Sequence, residues 1–240
     1  HRDLHSFPTR RSSDLNLPLF PQASVQLAPW MAGVAVLGIL YGAAVAFAQK
    51  DWKKLVAYSS VSHLGFVMLG VFALNPQAVS GAVVQMVNHG LSTGALFLLV
   101  GMLYERRHTR ELTAFGGLWK VLPLLSALAL IVTLSSLALP GLNGFVGEFN
   151  ILAGAFSAPG AGNFWRIAAG LGALGVIFAA AYLLKMFEAV FLGPVTHEEN
   201  RGLSDLNARE LLTLLPILLL ILAIGIYPQP IFDLISPAVE

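Results

Sequence analysis

From Asn16 onward the chain is built of six apolar segments, at about residues 28–48, 55–74, 80–104, 121–156, 164–192 and 210–227. The hydrocarbon core of a bilayer is ~30 Å thick and a helix rises ~1.5 Å per residue, so every segment is long enough to cross it. Backbone in lipid must satisfy its own N–H and C=O groups, and runs of this length do so as helices. The expected fold is an all-α membrane protein with six transmembrane helices. The fourth segment is too long for one straight crossing and contains Pro140-Gly141-Leu142-Asn143-Gly144. One helix is therefore expected to be broken mid-membrane, at Pro140, Gly141 and Gly144.

Composition points the same way: 56% of the 240 residues are hydrophobic and 11% charged, against about 25% charged in a soluble domain. A net charge of +1 without a basic cluster leaves nothing to neutralise a phosphate backbone, so no nucleic-acid partner is expected. The absence of cysteine removes thiolate iron–sulfur and zinc schemes and any disulfide. The glycines at 141, 144 and 147 sit in a span and suit a kink better than a nucleotide loop. No catalytic, cofactor-binding or metal site is expected in this chain.

Residues 1–15, HRDLHSFPTRRSSDL, share neither the hydropathy nor the charge pattern of the remainder and lack the apolar core of a signal peptide. HSFPTRRSSDL can be back-translated onto the text of a common sequencing adapter. The head is expected to be non-native and disordered, leaving 16–240 as a single transmembrane helical domain.

Lys and Arg are unevenly distributed over the connections. Lys50, Lys53 and Lys54 follow segment one, Arg106, Arg107, Arg110 and Lys120 follow segment three, and Arg201 and Arg209 follow segment five. These are alternate loops, so all nine share one face, and Arg166 stands alone on the other. The positive-inside bias places the charged loops in the cytoplasm and the C-terminus outside.

Ionisable groups inside hydrocarbon cost several kcal/mol unless partnered or hydrated, so the few present are where function is expected. Glu148 stands out as a central carboxylate just after the Pro/Gly break, where freed backbone groups need protein or water as partners. The alternative is a carboxylate that only supports the kink. His63 follows a run of hydroxyls in YSSVSH, and His89 shares a helix face with Gln85 and with Ser92 or Thr93. Each histidine alone reads as a packing residue; two of them beside hydroxyls favour a hydrated proton path. Lys185 lies near the charged-loop end of its span, where snorkelling beside Glu188 and a relay role are both open.

Three stretches resemble a known family: DWKKLVAYSSVSHLGFVMLGVFAL (51–74), QMVNHGLSTGALFLLVGMLYERRHTR (85–110) and LSSLALPGLNGFVGEF (134–149). They are similar to the antiporter-like proton-pumping subunits of respiratory complex I, the NADH-quinone oxidoreductase, and within them to the M-type chains. FGGLWK at 115–120 and IYPQP at 226–230 extend the likeness from about Asn16 to the C-terminus. The resemblance implies the second structural repeat plus a final helix of a larger subunit, with the family's central histidines at His63 and His89 and the ionisable residue of its broken helix at Glu148. It implies proton translocation from cytoplasm to outside, in a bacterial-type inner membrane, by a chain with no redox site of its own. NADH, FMN, iron–sulfur clusters and quinone would belong to partner chains, and the other membrane-arm subunits would be its neighbours. A subunit of a multisubunit sodium/proton antiporter is a second reading, and a structural membrane protein without transport a third.

Overall fold

A computed structural model describes residues 19–158 and 162–239, and the head at 1–15 lies outside them. Among the described residues the fold is all-helical: α1 (Pro21–Phe47), α2 (Trp52–Phe72), α3 (Pro76–Arg107), α4 (Pro123–Ser136), α5 (Asn143–Ser157), α6 (Phe164–Phe191), α7 (Ala208–Ile226) and α8 (Gln229–Val239). Five of these, α1, α2, α3, α6 and α7, are long and apolar enough to cross a membrane. The fourth expected span is the pair α4 and α5, two half-length helices in line with the expected break.

Two boundaries differ from the sequence reading. Gly144 belongs to the first turn of α5, and the interruption runs from Leu137 to Leu142 around Pro140 and Gly141. Gly144 is small because a Cβ there would collide with the Ser135 carbonyl oxygen, so its role is to let α5 start against the end of α4. α4 closes with Ala138 in the left-handed region (φ 58°), Ala138 N–H donating to Ser135 O at 3.2 Å and Leu139 N–H to Leu134 O at 3.1 Å. That pairing ends the helix while satisfying its last carbonyls. The second difference is α8, an amphipathic helix that begins within IYPQP and whose eleven residues are too short to span.

Short polar side chains set the helix starts. Asp51 accepts from Lys54 N–H at 3.0 Å ahead of α2, Asn75 from Ala78 N–H at 2.9 Å ahead of α3, and Asn207 and Glu210 form a reciprocal capping box on α7. α4 has no cap of its own. Asp205, from the loop before α7, supplies one by accepting from Leu124 N–H and Leu125 N–H at 2.8 and 3.0 Å.

The three basic connections meet at one end of the bundle. Trp52 N–H donates to Arg110 O and Leu112 N–H to Lys50 O, while Gly117 N–H donates to Leu192 O, so the loops after α1, α3 and α6 are bonded to one another. Arg106 makes two 2.7 Å bonds to Glu210 and further bonds to the carbonyls of Met102, Ser204 and Asp205. Arg107 pairs with Glu199.

Along α2 and α3 the interior changes character with depth. Near the charged loops Trp52, Leu55, Val56, Leu96, Leu99 and Leu103 join Leu118, Tyr182 and Phe191 in one apolar cluster. Toward the opposite end Phe66, Leu69, Val71, Ala78 and Ala82 join Ile39, Ile151 and Trp165 in another. The buried polar side chains of α2 and α3, Ser59 to His63 and Gln85 to Thr93, lie between the two. Outward-facing side chains such as Leu37, Ile177, Leu212 and Leu219 are exposed and apolar, the surface that lipid covers.

Candidate functional site

The break brings α5 into register with α2 and α3, and Glu148 is the result. One helical turn into α5, its side chain points inward and is 3% exposed. Close approach of α5 to α3 is possible because residue 147 is glycine: a Cβ there would strike the Gln85 side chain. The carboxylate atom Oε1 consequently receives two bonds, from Gln85 Nε2 at 3.0 Å and with His63 Nδ1 at 2.9 Å. An ion pair or a neutral bond would both fit that contact, according to where the proton resides. A buried carboxylate with a titratable partner is a place where one proton can be held by either group.

His63 leads on to His89. Their rings are 5.6 Å apart between centroids and tilted by 41°. His89 Nδ1 is within 3.0 Å of Thr93 Oγ1 on its own helix. Glu148, His63 and His89 thus form a row across three helices, α5, α2 and α3. A cavity of about 10 Å³, enough for a single water, is lined by His63, His89, Asn88, Ser92, Ser135 and Gly144 among others.

Beneath this row a second polar group holds the break closed. Asn88 Nδ2 donates to the Asn143 carbonyl at 2.6 Å, Ser135 Oγ donates to Asn143 Oδ1 at 2.5 Å, and Ser92 Oγ meets Ser135 Oγ at 2.7 Å. The first turn of α5 and the last of α4 are so attached to α3 through asparagine and serine. Buried acceptors remain open beside them: Gln85 Oε1 and Asn88 Oδ1, on residues that line this cavity, have no hydrogen-bond partner among the described residues. Unpaired groups at a cavity of water size suit a hydrated site.

Of the four proton-transfer residues expected from sequence, Glu148, His63 and His89 come together and Lys185 does not. Lys185 Nζ lies 4.1 Å from the centroid of the Phe47 ring, on the outside of the α1–α6 contact. No ion pair of Lys185 with Glu188 or Glu148 occurs among the described residues. Sequence reasoning noticed Gln85 only as a neighbour of His89 and passed over Asn88, Asn143 and Ser135. Their signal was present: amides in an otherwise apolar span are costly unless bonded. Among the described residues no group of three or more His, Cys, Asp or Glu is placed to hold a metal.

A broken helix with a buried carboxylate, paired to a histidine row across neighbouring helices, is the arrangement of an antiporter-like membrane fold. The family model described as NADH:quinone oxidoreductase/Mrp antiporter, TM, matches residues 14–175, and the chain belongs to that family. It is 46% identical over 218 residues to NADH-quinone oxidoreductase subunit M of Pseudomonas aeruginosa, covering 91% of this chain and 41% of that one. Among solved structures it is similar to a chain of respiratory complex I from Thermus thermophilus with bound NADH. That likeness has a TM-score of 0.85 and 36% identity, and it covers 97% of this chain and 49% of the other. A chain of the Mrp complex from Dietzia shares the fold, with a TM-score of 0.74 at 24% identity over 85% of this chain and 22% of its own. The chain spans about two fifths of the length of the curated relatives it matches.

Proposed function

We propose that this chain is part of a proton-translocating membrane-arm subunit of an NADH:quinone oxidoreductase, itself without redox chemistry. The observation that carries the reading is the buried Glu148–His63 contact at 2.9 Å beside a water-sized cavity. In this reading a proton is exchanged along His89 and His63 to Glu148, and Glu148 is the last titrating site before release to the outside. The two histidines act as shuttle sites because neutral and protonated imidazole are close in energy when hydroxyls and water stand beside them. Quinone reduction, with NADH, FMN and iron–sulfur clusters, takes place on partner chains and drives the transfer at a distance. The charged loops face the cytoplasm and the C-terminus the outside, a placement supported by the clustering of nine Lys and Arg in the connections of one face.

The family description also includes Mrp antiporters, so sodium exchange is the second reading. The 46% identity to a complex I subunit favours protons.

The test is Glu148→Gln in the assembled complex of the full-length parent subunit. The expected result is at least a tenfold loss of proton translocation through this subunit at unchanged membrane insertion. Glu148→Asp is expected to recover part of it, because the titrating group survives with shorter reach. Near-normal translocation by the Gln variant would leave Glu148 as a support for the helix break. Sodium-dependent activity in the parent complex would transfer the assignment to the antiporter reading.

A further inference from the structure

The two histidines line one cavity of about 10 Å³, yet among the described residues no hydrogen bond joins their rings. His63 turns Nδ1 to Glu148 and His89 turns Nδ1 to Thr93, which leaves Nε2 of each ring as the atom available to the cavity. A proton passing between the rings needs a carrier, and the space admits one water.

The rest of the cavity wall decides how that water can sit. Ser92 and Ser135, which line it, close a ring of hydrogen bonds with Asn143. Ser135 Oγ donates to Asn143 Oδ1 at 2.5 Å, and its single hydrogen is thereby spent. The 2.7 Å contact between the two hydroxyls must then run from Ser92 to Ser135. Ser92 has spent its hydrogen in turn and accepts from Asn143 Nδ2 at 3.3 Å. The alternative bond from Ser92 to Asn143 Oδ1, at 3.4 Å, is far longer and would leave the hydroxyl contact without a hydrogen. Asn143 Nδ2 also faces the Asn88 carbonyl oxygen at 3.5 Å, where a reversed amide would set two acceptors against each other. The amide therefore fixes the direction of the whole ring. Ser136, a further lining residue, donates to the Val132 carbonyl at 3.0 Å. Ser92, Ser135 and Ser136 thus have lone pairs to offer and no hydrogen, and Asn88 Oδ1 is an acceptor without a partner among the described residues.

We propose that Asn143 sets the polarity of this ring, so that the wall holds acceptors alone and fits a protonated water in transit between His89 and His63. A protonated water has three hydrogens and needs an acceptor for each. In the transfer an N–H bond of protonated His89 breaks as an O–H bond forms on the water, and another O–H bond of that water breaks as an N–H bond forms on His63. The third hydrogen stays bonded to the wall, and the water is restored. A proton entering the serines could travel only as far as Asn143 Oδ1, an amide oxygen too weakly basic to keep it, so it stays on the line to Glu148. Asn143 is a positioning residue and takes no proton itself. That role rests on the proton-transfer reading of Glu148 and the histidines.

The experiment uses the assembled full-length complex with two variants. Asn143→Asp keeps the shape and replaces the amide donor by a second acceptor, which undoes the direction of the ring. Ser92→Ala removes one acceptor and opens the ring, while the bond from Asn88 to the Asn143 carbonyl still holds the break. Two quantities are read at equal amounts of assembled complex. The first is the share of proton translocation that Glu148→Gln abolishes; the second is the water O–H stretching band in the redox-difference infrared spectrum, recognised by its shift in heavy-oxygen water. Each variant is expected to lower that share at least twofold and to displace the band. A ring that only holds the break would lower the yield of assembled complex and move neither quantity. If Asn143→Asp fails to assemble, Ser92→Ala decides alone. An unchanged share, an unmoved band, or no such band in the parent overturns the proposal and leaves Glu148 in place. Normal translocation by Glu148→Gln would remove the underlying reading and this role with it.

Discussion

α2 and α3 pass through two environments that are equally buried and chemically opposite. By the charged loops, Trp52, Leu55, Val56, Leu96, Leu99 and Leu103 are 0–2% exposed and in contact with other apolar side chains. A turn or two deeper, Ser62, His63, Gln85, Asn88 and Ser92 are 0–4% exposed and bonded across helices. The first layer is held by close packing, in which every side chain is replaceable by another of similar shape. In the second, each side chain answers a named atom on another element, and two acceptors, Gln85 Oε1 and Asn88 Oδ1, have no partner among the described residues. Replacing a buried polar network by well-packed apolar residues is often neutral or stabilising. Stability therefore gives no reason for the second layer, whereas the proposed proton transfer would.

The comparison is tested most severely at the charged end, where one polar device serves only structure. Arg106 and Glu210 are 11% and 12% exposed, and the guanidinium also bonds the carbonyls that present Asp205 to the start of α4. Arg106→Ala leaves the nearly buried Glu210 without its counter-ion and with only the Asn207 N–H of its capping box, for which a cost of about 3–5 kcal/mol is expected. It should appear as lost assembly and a lowered thermal midpoint of the purified complex. Unchanged assembly would mean that the loops hold without this contact.

Next in size is a matched pair, one substitution in each layer. Leu99→Ala, in the apolar layer, is expected to cost about 2–5 kcal/mol of stability with translocation per assembled complex unaltered. His63→Ala should do the reverse, cutting translocation at least fivefold with assembly largely kept. Measuring both quantities on both variants decides the matter. If assembly and translocation fell together in His63→Ala, the polar layer would be packing like its neighbour.

A smaller effect is expected at the break. Ala138 holds a left-handed conformation (φ 58°) that costs an L-residue ~1–2 kcal/mol and glycine much less. Ala138→Gly should raise the thermal midpoint slightly or leave it level, since glycine also loosens the unfolded chain. A clear fall would show that the methyl group packs at the break.

Much of this was legible beforehand, and the reason is periodicity and cost. Apolar runs of membrane length fixed the number of spans, because lipid admits few alternatives. Pro140 and Gly141 marked the interruption, and the price of burying charge singled out Glu148 and the histidines. What could not be read was pairing. His63 and Glu148 are 85 residues apart, and their contact depends on Gly147 lying against Gln85, a relation with no local signature. Asp205 capping α4 from 80 residues away is hidden for the same reason. The helix α8 was missed because its signal is amphipathic and brief.

The least effect is expected at Lys185, the residue for which sequence left two roles open. Its ammonium lies over the Phe47 ring on the outer surface, away from the Glu148 row, so the contact is an exposed cation–π interaction worth below about 1 kcal/mol. A lysine near a helix end keeps its charge at the interface by extending along its own stem, and an aromatic ring beside it steadies that posture. Lys185→Gln removes the charge with a side chain of similar reach. Translocation per assembled complex should stay within experimental error of the parent, and the thermal midpoint should fall by a degree or so at most. A loss approaching that of Glu148→Gln would show that Lys185 swings inward during turnover and supplies the moving charge that switches Glu148. The boundary between the lipid-facing surface and the polar layer would then run through α6.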